Sequence, residues 1–173
     1  MARLRKFVAY RQLDRPNTRK SKYRKKAFVK SNPNCKVVKF NVGNTKGNFP
    51  FKMHLVSKRN LQIRDNALES ARQTCTRYLE KNLGKKGFML HIRVYPHHII
   101  RENPLASGAG ADRFSTGMQK SFGKPTGIAA QISKGQEVFT VHCQKESKPV
   151  ALVALKKAGK KLPIQCLYID DES

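Results

Sequence analysis

At 173 residues, with 39% hydrophobic and 27% charged residues, the chain has the length and apolar content for one folded core. The sign of its charge is abnormal: 36 Lys and Arg face 11 Asp and Glu, a formal +25. Self-repulsion of that size is relieved by a polyanion, which points to nucleic acid and places an anionic membrane well behind it.

The membrane class is excluded on other grounds too. No window approaches ~18 consecutive apolar residues, and the first residues lack the apolar core of a signal peptide. Cys35, Cys75, Cys143 and Cys166 are scattered with no CxxC pair. Such thiols suit packing in a reducing, cytosolic setting.

The first thirty residues hold twelve Lys or Arg against the single acid Asp14, with Phe7, Tyr10, Tyr23 and Phe28 interleaved. A charge run is often only a solvated tail. Aromatics among the cations favour an arm that orders on a phosphate backbone and stacks on exposed bases. The expected contacts are Arg3, Arg5, Lys6, Arg11, Arg15, Arg19, Lys20, Lys22, Tyr23, Arg24, Lys25 and Lys26.

Residues 31–173 read as a single α+β unit. Strands are expected at Lys36–Gly43 and Phe49–Ser57, joined by the turn-rich "GNTKGN". A helix follows from about Gln62 to Asn82, where Leu68, Ala71, Cys75, Tyr78 and Leu79 form one apolar stripe. Asn60 would cap it and Gly84 would stop it. In the strand Gly87–Tyr95, Phe88, Leu90, Ile92 and Val94 share one face, and His91, Arg93 and Tyr95 share the other.

After Tyr95 a long connection leads to a helix at about Asp112–Phe122, with Phe114, Met118 and Phe122 stacked as core and Gly123 at its end. "GIAAQIS" and "QEVFTVHC", separated by "KG", read as a hairpin. A third helix spans about Ser147–Ala158, with Ser147 as cap and Pro149 in its first turn. "PIQCLYI" closes as a strand before the acidic "DDES". The fold class is therefore α+β: a mostly antiparallel sheet packed by about three helices, with a basic N-terminal arm. Neither an internal repeat nor a low-complexity linker interrupts it.

Catalytic chemistry finds little support. His97 and His98 are adjacent, so an extended backbone points them to opposite sides, and only Glu102 and Asp112 are near. Glu102, Ser107 or Ser115 could be cast beside a histidine base, but no spacing recommends it. "SGAGAD" resembles a phosphate cradle only weakly, because Gly108 and Gly110 lack a third glycine and no Gly-Lys-Ser/Thr follows. The loop "NPLASGAGADR" is instead built from small residues between Arg101 and Arg113, a composition that admits close approach to a crowded, phosphate-lined surface. The folded part thus adds Arg64, Arg93, Tyr95, His97, His98, Arg101, Lys120 and Lys124 as expected RNA contacts. An RNA-processing enzyme using His97 or His98 with Glu102, and a free RNA chaperone or regulator, are the competing classes.

"QIRDNALESARQTCTRYL", "HIRVYPHHIIREN", "GAGADRFSTGMQKSFGKPTGIAAQI" and "GQEVFTV" resemble, in order and spacing, the large-subunit ribosomal proteins called L-sixteen in bacteria and L-ten-e in archaea and eukaryotes. The resemblance runs from about Thr18 to Pro163, and "RVYPHHIIREN" is of the archaeal form. It implies a sheet packed by helices and bound to large-subunit rRNA beside the tRNA cleft. It further implies that Asn103, Pro104, Leu105, Ala106, Ser107, Gly108, Ala109, Gly110, Ala111, Asp112 and Arg113 reach toward the peptidyl-transferase centre and the tRNA acceptor end. The partners implied are large-subunit rRNA, tRNA in the A and P sites and neighbouring ribosomal proteins, in the cytoplasm. Late entry into subunit assembly is implied as well. Neither a cofactor nor a metal nor a small-molecule substrate is expected.

Overall fold

A computed structural model describes residues 6–13, 15–26, 33–103, 119 and 121–172. Arg3, Arg5, Lys120, the loop from Pro104 to Arg113 and nearly all of the helix expected at Asp112–Phe122 lie outside the described residues.

Two antiparallel sheets form the frame. The larger is ordered β1-β4-β7-β2-β8, from Asn41–Gly43 (β1), Met89–Ile92 (β4), Glu137–Cys143 (β7), Phe51–Ser57 (β2) and Cys166–Glu172 (β8). The smaller is ordered β3-β6-β5, from Leu61–Arg64 (β3), Lys124–Ile132 (β6) and His98–Glu102 (β5). Two α-helices occur among the described residues, α1 at Asp65–Leu83 and α2 at Lys148–Gly159. Neither is long and apolar enough to cross a membrane.

The apolar stripe of α1 is core as its spacing requires. Leu68, Ala71, Cys75 and Leu79 are fully buried, and α2 sets Ala151, Ala154, Leu155 and Ala158 against them. Each such leucine contributes roughly 1.5–3 kcal/mol by leaving water. Phe51, Leu55, Leu90, Phe139 and Val141 complete that core from the large sheet. As expected, Phe88, Leu90, Ile92 and Val94 point inward. Gly84, at φ +70°, ends α1 with its N–H on the Glu80 carbonyl.

Several elements differ from the expectation. The helix begins at Asp65, because Leu61, Gln62 and Ile63 are all buried and pair along β6 as a strand. Asn60 is not its cap; the Asn60 side chain accepts the Lys134 N–H instead. "GIAAQIS" and "QEVFTVHC" are strands but not a hairpin, for β6 and β7 belong to different sheets. The Gly135 turn, at φ +82°, donates its N–H to the Ser57 carbonyl at 2.8 Å, and Ser57 donates back to Gln136. Partnering with Ser57 carries the chain from one sheet to the other. His98–Glu102 forms a strand where a loop is expected, and the last strand reaches through Asp170 and Asp171. Ser147 precedes α2 without a side-chain cap bond.

Inside the large sheet a buried His54 braces three strands. Its Nδ1 lies 3.0 Å from Thr140 Oγ1 on β7, and its Nε2 lies 3.1 Å from Asp171 Oδ2 on β8. A buried polar group needs such partners to avoid a desolvation cost of about 1–3 kcal/mol.

Candidate nucleic-acid interface

The arm does not stand off the fold. Its Phe7–Tyr10 turn lies beside β3, and Gln62 Nε2 donates to the Gln12 carbonyl at 2.9 Å. Five residues on, the Asn17 N–H donates to His98 Nδ1 at 2.9 Å. The Ile99 N–H returns a bond to the Asn17 carbonyl at 2.7 Å. The Phe7–Tyr10 turn, Gln12 and Asn17 thereby strap the arm to the small sheet.

Beyond the strap, Lys20, Lys22, Tyr23 and Lys26 arrive beside Phe122, Gly123 and Lys124 and line an open groove of about 670 Å³. Tyr23 is 58% exposed, with the Lys22 and Lys26 ammonium groups 5.3 and 5.7 Å from its ring centre. A second groove of about 570 Å³ adjoins it, lined by Asn17, Lys22, Arg101, Asn103 and Phe122. The Arg101 guanidinium lies 4.2 Å from the Phe122 ring centre, a cation–π contact that keeps its charge un-neutralised. Asn103 Nδ2 donates to the Ser121 carbonyl at 3.0 Å and ties the two ends of the 103–121 segment together. Gly123 permits this closure, because a Cβ there would press on Arg101 and the Glu102 backbone at 3.0 Å.

The expected contacts therefore separate. Lys20, Lys22, Tyr23, Lys26, Arg101 and Lys124 line the two grooves. Lys6, Arg11, Arg15, Arg19, Arg24 and Lys25 are exposed along the arm. Arg64 lies at the start of α1, half-buried, with its Nε buried and unpartnered. Arg93 is half-exposed and ion-paired to Glu137 at 2.9 Å, and Tyr95 stacks on Phe40 with ring centres 5.4 Å apart. His97 is exposed, while His98 is buried under the arm. Phe122, expected in the core, instead floors the groove beneath Arg101.

Asn17, Asn103 as a tie and Gly123 escaped the sequence reading of the site. Their roles depend on partners distant along the chain, and only the position of Gly123 after an aromatic hinted at close approach. The four cysteines are free thiols. Burial pushes Cys75 up to about 12 and Cys143 and Cys166 up to about 11, which keeps them protonated and unreactive. Among the described residues no three His, Cys, Asp or Glu side chains converge as a metal site.

Cations flanking an exposed aromatic, beside a second aromatic capped by arginine, can hold phosphates and stack a base at once. A family model described as ribosomal protein L16p/L10e matches residues 18–169. The large ribosomal subunit protein uL16 of Methanococcus aeolicus is 44% identical over 166 residues, covering 96% of this chain and 93% of that protein. Its namesake in Methanococcus maripaludis strain C5 is 45% identical over 152 residues, 88% of each chain.

Proposed function

The chain belongs to the ribosomal protein L16p/L10e family, and on that premise we propose that its arm and adjoining grooves hold large-subunit rRNA. It is a structural constituent of the large subunit of the cytoplasmic ribosome, of archaeal type, and not an enzyme. Residues 1–30 serve as the rRNA-binding arm, and residues 31–173 as the domain that presents it. Arg and Lys meet phosphates, Tyr23 and Phe122 offer stacking faces, and His98 contributes by holding the arm rather than by touching RNA. The segment from Asn103 to Arg113 extends toward the peptidyl-transferase centre and the tRNA acceptor end, supporting tRNA positioning and late assembly. Neighbouring ribosomal proteins complete its surroundings.

The observation that carries this reading is the Tyr23 groove, where four lysines and an exposed ring share one concave surface next to Arg101 and Phe122. Closure of Asn103 on Ser121 supports the loop's role, since it brings the two ends of the segment together beside the groove.

Large subunits assembled with variants test it. Replacing Lys22 and Lys26 by Gln and Tyr23 by Ala should weaken incorporation and make it salt-sensitive. Deleting Leu105 to Ala111 should spare incorporation while impairing tRNA handling or subunit maturation. Wild-type behaviour of the first variant would overturn the rRNA contact, and normal translation by the second would overturn the loop's role.

A further inference from the structure

A second basic groove, sharing no lining residue with those of the arm, lies between α1 and α2. It has a volume of about 370 Å³, and Arg77 and Lys81 face it from α1 while Lys157 and Lys161 face it from α2 and the turn after it. None of the four forms an ion pair with a carboxylate among the described residues. None of the three acids of α1 lines the groove: Asp65 accepts the Lys36 N–H, and Glu69 is held by Arg72 at 2.6 Å and by Gln73 at 3.1 Å, while Glu80 is also absent from its lining. Helix α2 carries no acid at all.

The groove sets four cations and polar side chains around one aromatic ring. Thr74 and Tyr78 line its floor, and the Lys157 ammonium sits 3.7 Å from the Tyr78 ring centre. That contact holds a cation at the groove's mouth without neutralising it. Lysines in the last turn of a helix also complement its dipole, which accounts for Lys157 but not for Arg77 or the aromatic beneath. Four like charges converging in a concavity repel one another unless an anion is shared among them.

We propose that the α1–α2 groove is a second phosphodiester-binding site, which takes an RNA backbone separate from the one met by the arm. This deepens the RNA-binding reading and rests on RNA as the partner. With two such sites the protein ties two backbone segments together, so that its place in the particle depends on both being present. Backbone recognition is the fitting chemistry, because point charges and hydroxyls line the groove, while its aromatic face is already covered by Lys157 and unavailable for a base.

The test is a salt titration of full-length chain on a plain duplex RNA. Each phosphate contact contributes about 0.7–0.9 to the slope of log affinity against log salt. The variant Arg77→Gln, Lys157→Gln, Lys161→Gln should lose roughly 2 units of slope by that measure. These three side chains are exposed, and an unchanged melting temperature confirms the fold. A charge-matched control, Lys46→Gln, Lys85→Gln, Lys134→Gln, removes exposed turn lysines outside either site and should retain the wild-type slope. Equal losses in both variants would mean diffuse charge and overturn the site, as would a groove variant with the wild-type slope. Neutralising Lys20, Lys22 and Lys26 reads the arm separately. A loss there, with the groove variant unchanged, defeats this site alone; the reverse defeats the arm and leaves the groove standing.

Discussion

The Asn17 N–H donates to His98 Nδ1 at 2.9 Å across 81 residues of sequence, binding the arm to the strand from which the 103–121 segment departs. Accepting at Nδ1 fixes the proton of a neutral His98 on Nε2. One short bond thus couples the position of the basic arm to the base of the segment, and the Tyr23 groove forms where the two meet.

Replacing His98 by Ala removes that acceptor and should cost about 1 kcal/mol, near the value of one such bond. The arm should become cleavable by trypsin after Arg11 or Arg19 while the core stays intact. Limited proteolysis of wild type and variant reads this directly, and equal cleavage rates would contradict the strap.

Tyr23 and Arg101 should fail in different ways. Tyr23→Ala should weaken single-stranded RNA binding by about 1–3 kcal/mol, the value of one stacked base, with the salt slope unchanged. Arg101→Gln should lower the slope by about 0.7, one phosphate contact. Salt titrations by fluorescence anisotropy separate the two effects; a slope change in Tyr23→Ala would contradict the stacking role.

Gly43, at φ +96°, sits where a Cβ would collide with the Phe88 carbonyl at the β1–β4 pairing. Gly84 has φ +70° but open space around it. Gly43→Ala should therefore destabilise by more than Gly84→Ala, with the latter near 1 kcal/mol from backbone strain alone. Thermal melts of the two variants rank them, and a smaller loss for Gly43→Ala would contradict the close approach.

Cys75 gives the fold an alkaline limit. Its folded value is raised by burial from 9.0 to about 12, so the native state keeps a proton that the unfolded chain releases. By linkage, its contribution is complete below pH 9 and is lost as pH rises toward about 12. Melting temperature should fall over that window, and less steeply in Cys75→Ala. Parallel curves would show that Cys75 takes no part.

What the sequence makes legible is local or one-sided. The α1 stripe can be read because Leu68, Ala71, Cys75 and Leu79 repeat at helical spacing over about three turns of chain. Strand β3 could not be, since Leu61–Arg64 runs into the helix with no breaker between them. Strand β5 hides behind Pro96 and two histidines, its Ile-Ile core too short to announce a strand. The β6–β7 turn carries an ordinary hairpin signal, and only Ser57, far away in sequence, diverts the strands into separate sheets. In the site, charge and the exposed aromatic Tyr23 were readable from the arm's composition. The strap at His98 and the Arg101–Phe122 stack were not, because each joins residues whose proximity only the fold creates.

Sedimenting a cell lysate at low and high salt, and probing each fraction for the chain, tests residence in the large subunit. The chain should travel with large subunits and whole ribosomes and stay there through a high-salt wash. Recovery only in the light fractions would contradict it, leaving an RNA-binding protein with no fixed place in the particle.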